Sequence, residues 1–178
     1  MHTTVLRFIY FAITVAVLLV VLKMINWLPL IIQKESMRQY HSIEEMQSRL
    51  NIATVYIPSY FPQHLAWPPS IIIAQRKPFT AVIMHFHYRN SEEVGMVIRQ
   101  VRAGELALPD SALALRKVLQ TSSILIKDRN ALLETGECDG GASCSRVSWE
   151  EGGLSITVTA KTPQRELIRI ARSMIPSR

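Results

Sequence analysis

Cys138 and Cys144 are the two cysteines of the chain, spaced C-x5-C within ECDGGASCSR. Two thiols flanking a Gly-Gly turn can close a small disulfide loop at low strain, and disulfides belong outside the cytosol. The other reading is a pair of free thiols in a cytosolic loop. Zinc is disfavoured, because two cysteines make half a tetrahedral site and no histidine pair stands nearby at finger spacing. His85 and His87 share one face of an alternating strand, so both could hold one metal ion, with His64 or His41 as a remote third ligand. Histidines on the polar face of such a strand are more often simply exposed, and no metal is expected. Glu150 and Glu151 are adjacent. In an extended chain their side chains diverge, which argues for solvated turn residues over a paired acid–base site.

The phosphate-cradling patterns G-x-x-x-x-G-K-[ST] and G-x-G-x-x-G are missing, and so is a G-x-S-x-G nucleophile elbow. The expectation is a non-catalytic protein without a cofactor. What remains is binding. Residues 58–70 read PSYFPQHLAWPPS, with four prolines that exclude a regular helix or a central strand. One reading is a rigid loop packing its aromatics over the core. The other is a groove for a ligand or partner, walled by Tyr60, Phe61, Trp67 and Pro68. Arg165, Arg169 and Arg172 cluster on one face of the last helix at 100° per residue. A solvated helix face is the plain reading. Arg169 and Arg172 are the expected contacts if that face meets an anion, such as a lipid headgroup or an acidic partner.

Composition bounds the class. Of 178 residues, 48% are apolar and 19% charged, which excludes a disordered chain. The net charge of +6 calls for an anionic neighbour or a soluble basic surface. Phe8 to Val21 carries no charge, and the apolar run continues past Lys23 to Ile32. A bilayer core needs about 20 apolar residues in a helix, so 8–32 is read as a transmembrane helix. Lys23 can snorkel, Trp27 can anchor at the interface, and Pro29 can kink or end the helix. A cleaved signal peptide is the rival, but no small-residue site closely follows the apolar core. The positive-inside count is nearly balanced between Arg7 and the pair Lys34 and Arg38. The cysteines therefore decide the orientation. Residues 1–7 are placed in the cytoplasm and the soluble domain outside it, in the periplasm.

The elements beyond the membrane read as α+β. Residues 33–41 form a polar bridge that can continue the membrane helix. Ser42 and Glu45 make a capping box for a short helix with Ile43, Met46 and Leu50 on one face. Strands are predicted at 54–57, 70–74, 80–88, 95–101, 122–126, 131–134, 145–149 and 154–160. Val82, Met84 and Phe86 point one way from the third of these, and Ile83, His85 and His87 the other. A short helix is predicted from Pro109 to about Leu119, with Ala112, Leu115 and Leu119 on one stripe. The last helix has Thr162 as N-cap and Pro163 in its first turn, and buries Leu167, Ile170, Ala171 and Met174. Short hairpin links make the sheet mostly antiparallel.

Three stretches resemble one bacterial family, the extracytoplasmic C-terminal domains of membrane-bound anti-sigma factors and sporulation-type lipoproteins. They are VYIPSYFPQHL at 55–65, Ile98-Arg99-Gln100, and SWEEGGL at 148–154 followed by ELIRIARSM at 166–174. The likeness covers about 54–175. It implies a curved antiparallel sheet like that of lipoprotein carriers, with a sensing or binding role. No zinc-binding anti-sigma module stands before the membrane segment, which implies a sensing domain kept without the usual cytoplasmic output. The expected function is a single-pass, membrane-anchored binding domain that docks an envelope protein or a lipid-like ligand. The alternative is a structural or assembly subunit of a larger membrane complex, with Lys23 paired to a partner's acid. Nucleic acid is not an expected partner, since a periplasmic domain does not meet it and no aromatics interleave with the arginines.

Overall fold

A computed structural model of the chain describes residues 13–23, 37–104 and 112–177. The chain divides into two compact units, Met1–Met37 and Arg38–Arg178. The described part of the first unit is a helix, α1 (residues 13–23), whose apolar side chains are all exposed, Leu19 to 61%. Among the described residues, no helix is long and apolar enough to cross a membrane. Residues 8–12 and 24–32 of the expected span lie outside the described residues.

The second unit opens on a short strand, β1 (Arg38–Tyr40), where the sequence suggests a helical bridge. Tyr40 is buried, and its strand is held by antiparallel pairing to β3 (Ile71–Gln75). That pairing outweighs helix continuation at 38–40, and residues 33–36 of the expected bridge lie outside the described residues. The capping box is present in α2 (Ile43–Leu50). Ser42 Oγ accepts from Glu45 N, and Glu45 Oε2 accepts from His41 N. Asn51 ends the helix at φ 50°, a left-handed conformation that asparagine tolerates.

The sheet continues through β4 (Ala81–His87), β5 (Val94–Arg102), β6 (Leu115–Ile126), β7 (Arg129–Cys138), β8 (Ser143–Glu151) and β9 (Leu154–Ala160). Its order is β1-β3-β4-β5-β9-β8-β7-β6, eight curved strands with every neighbour antiparallel. A separate ribbon joins β2 (Tyr56–Pro58) to β10 (Met174–Pro176), on either side of α3 (Gln164–Arg172) in the chain. The architecture is α+β, as expected.

One face of the sheet holds the main core. Met46, Leu65, Met84, Phe86, Ile98, Ile156, Val158, Leu167 and Ile170 are fully buried in it. The sequence makes this face by alternation, and α3 covers it with the predicted stripe. The other face differs from expectation. The strand register puts Ala81, Ile83 and His85 beside Val101, Arg99 and Val97, away from the core. Ala81, Ile83, His85, Val97 and Val101 are nevertheless buried, so β4 and β5 are covered on both faces. Alternation identifies which residues share a face, but not whether the second face meets water.

Two further elements depart from the sequence reading. The helix expected from Pro109 to Leu119 is replaced from Leu115 by β6, a strand of 12 residues. Leu115 and Leu119 do fall at helical spacing. However, KVLQTSSILI is rich in strand formers, and β7 offers it a hairpin partner across Lys127-Asp128. Gly136 permits the close approach there, since a Cβ would lie 1.8 Å from the Lys117 carbonyl oxygen. At α3 the N-cap is Pro163, one residue later than predicted. The Thr162 hydroxyl is buried and bonds to none of the described residues, and the Pro163 carbonyl accepts from Glu166 N and Leu167 N.

Candidate functional site: the aromatic–proline ridge

The loop 59–70 is tied down along its length. Ser59 N and Oγ both donate to the Ser173 carbonyl, at 3.0 and 2.8 Å. Ala66 N donates to the His87 carbonyl at 2.8 Å, Arg89 N to that of His64 at 2.9 Å, and Ser70 N to that of His85 at 2.9 Å. The loop therefore runs from the end of α3 to the edge of β4. Prolines suit it because they need no N–H partner. Leu65, fully buried, pins its centre to the core.

The predicted contact residues separate into two groups. Phe61 and Trp67 lie together, with ring centroids 5.4 Å apart, edge to face. Both rest on Phe86 of β4, at 5.2 and 6.0 Å, and Trp67 stacks on it. Phe86 is fully buried, Phe61 is half-buried, and Trp67 stays 46% exposed. Pro68 is exposed beside it. Tyr60 turns instead toward α3. The Arg169 guanidinium sits over its ring, 3.8 Å from the centroid, and its hydroxyl donates to Glu166 Oε1 at 3.5 Å. Such a cation–ring contact at the surface is worth about 0.5–1 kcal/mol. Arg172 reaches elsewhere, donating to the Leu125 carbonyl at the end of β6. Arg169 and Arg172 thus serve the loop and the sheet edge separately and do not converge on one anion.

Cys138 and Cys144 are bonded, with a 2.05 Å S–S distance, and both are buried. The loop they close turns through Gly140 and Gly141, both at positive φ. Glu151 is a correction to the solvated-turn reading. Its carboxylate is largely shielded, accepts from Trp149 Nε1 at 3.1 Å, and lies 3.7 Å from Lys127 Nζ. Lys127 Nζ in turn donates to the Met174 carbonyl. Glu150 is exposed. The distinction comes from the pleat: Glu151 shares the face of Trp149 and Glu150 does not.

His85 is also a correction, being buried where exposure was expected. Its Nε2 has no hydrogen-bond partner among the described residues. Burial, and then the charge of neighbouring His87, push its pKa below the ordinary histidine value. The flanking strands present Ile71 and Val97 to it. The unfolded chain takes up this proton near pH 6.5 and the folded chain resists it. Stability is thus full above about pH 6.5 and falls as pH drops toward the lower folded value, by up to about 1.4 kcal/mol per pH unit. His85→Leu is expected to flatten urea-unfolding stability between pH 6.5 and 5. An unchanged slope would assign that dependence to other groups. Among the described residues, no three His, Cys, Asp or Glu side chains gather as a metal site.

One hollow is not legible from any motif. It is an open depression of about 720 Å³ on the face of the sheet away from α3, floored by Ser123, Leu132, Ser148 and Ser155. These four come from four strands, and only the register brings them together. No family model, no curated protein and no solved structure matches the chain.

Proposed function

We propose that this chain is a membrane-anchored, extracytoplasmic binding module, non-catalytic, whose Trp67–Pro68 ridge docks an envelope protein or a lipid-like ligand. The observation that carries the reading is the half-exposed Trp67, held on a buried Phe86 by a loop bonded at both ends. A rigid, exposed aromatic gives much contact area at small entropic cost, as binding hot spots do. The Cys138–Cys144 bond supports an oxidising compartment. Apart from Thr14, the exposed side chains of residues 13–22 are all apolar, which supports a lipid environment, since so apolar a short helix is not stable in water. The resemblance to extracytoplasmic sensor domains agrees with this placement.

Two experiments test it. Thiol labelling of intact and lysed cells is expected to reach Cys138 and Cys144 only after reduction. Free thiols reached only after lysis would put the domain in the cytosol. At the ridge, Tyr60→Ala and Trp67→Ala are each expected to cost about 1–2 kcal/mol and leave the domain folded. A photoreactive phenylalanine at position 67 is then expected to crosslink one envelope protein or lipid in intact cells. Unfolding of either alanine variant, or no adduct from position 67, would return these aromatics to the core.

A further inference from the structure

We propose that β6 pairs with β6 of a second copy of this chain, as antiparallel strands about a two-fold axis at Ser122. The sheet has two edges. At one, β1 is three residues long, and brevity protects it. At the other, β6 runs for 12 residues and, among the described strands, pairs with β7 alone. Exposed edges of this length are usually blunted by charge, proline or irregularity. Here the blunting is confined to the ends. The register shifts near Leu115 and Val118, and Arg172 donates to the Leu125 carbonyl. Between them, Val118 to Ile124 contains no charge and no proline, and Leu119 is 63% exposed.

The occupant follows from the pattern of the strand itself. Arg116 is neutralised by Asp139 at 2.6 Å, and Lys117 lies 3.7 Å from Glu137. Arg172, at the Leu125 carbonyl, bounds the edge, and between Val118 and Ile124 no charge is offered that would select an acidic strand. A two-fold at Ser122 sets Thr121 opposite Ser123 and Gln120 opposite Ile124. With residue 119 taken up by the irregularity, Val118 faces Leu125. Val118 pairs with Gly136 and Leu125 with Asn130, which puts both on the face away from α3, at 44% and 57% exposure. Their contact would remove exposed apolar surface from water. Hydroxyl pairs and apolar pairs across strands are favourable, and no like charges come opposite each other. The contact is smaller than the roughly 1,200 Å² of a stable interface, so the dimer is weak and depends on concentration. This inference rests on the edge and is independent of the Trp67 reading.

The test is Ser122→Cys in the full-length chain, in detergent, under mild oxidation. Cys138 and Cys144 are bonded to each other, so the new thiol stands alone. Directly opposed residues in antiparallel strands lie about 4.5–5.5 Å apart at Cα, within disulfide reach. The expected result is a doubling of apparent mass on a non-reducing gel, reversed by reductant. Thr121→Cys and Ser123→Cys should crosslink less, and exposed Leu132→Cys should not. Wild-type sedimentation should shift from monomer toward dimer as concentration rises. The proposal is overturned if S122C, with a wild-type melting profile, crosslinks no better than L132C. It is equally overturned if the 122 thiol captures a different protein in place of a second copy.

Discussion

Phe86→Ala is expected to lower the unfolding free energy of the domain by about 3–5 kcal/mol. Phe86 is fully buried near the end of β4 and is the base on which Phe61 and Trp67 both rest. Its loss removes a large apolar side chain from water-free packing and leaves a cavity that two strands and a bonded loop cannot easily close. Against a typical total of about 5–15 kcal/mol, that is a large fraction. Urea unfolding followed by far-UV dichroism measures it. The effect should greatly exceed that of Trp67→Ala, because Trp67 is half in solvent already. Trp67 should also lose its fixed position, and ridge crosslinking should fall with it. Phe86→Leu keeps most of the volume and should cost much less. A Phe86→Ala cost under about 1 kcal/mol would mean that the ridge has no packed base.

Gln100→Leu is expected to cost about 2–5 kcal/mol, although leucine is close in size and apolar. Gln100 lies on the core face of β5, 1% exposed. Its Nε2 donates to the Tyr56 carbonyl at 2.6 Å, and its Oε1 accepts from Tyr56 N at 2.8 Å. One amide thus satisfies both backbone groups of the residue that opens β2. Leucine would leave a buried N–H and a buried C=O unpaired, and each such loss costs about 1–3 kcal/mol. The β2–β10 ribbon and the start of the 59–70 loop hang from this contact. Amide hydrogen exchange at Tyr56 should accelerate along with the fall in stability. Unchanged exchange at Tyr56, with unchanged stability, would show that solvent replaces the glutamine.

The glutamine illustrates how far the sequence can be read. It stands out as the end of an apolar strand, and resemblance singles out Ile98-Arg99-Gln100, but its partner is 44 positions away. The capping box at Ser42, the hairpins at 75–80 and 151–154, and the stripe on α3 are legible because each depends on neighbours in the chain. The Glu150–Glu151 pair is half legible. Pleat parity separates the two residues, yet only the packed hairpin shows that Lys127 meets the second. β6 is illegible as a strand from Leu115, because its leucines match a helix period and the deciding partner, β7, lies beyond a turn.

Read alone, the residues yield an α+β domain behind an apolar N-terminal stretch, the residues that share the core face, and two cysteines spaced so that they can bond. These are local properties: period, caps and turn chemistry act over a few residues. The tertiary structure alone decided that His85 is buried, that Tyr60 meets Arg169 while Phe61 meets Trp67, and that β6 is left as an edge. Those outcomes depend on strand order and on what covers each face. Such contacts join residues distant in the chain, and no local pattern encodes them.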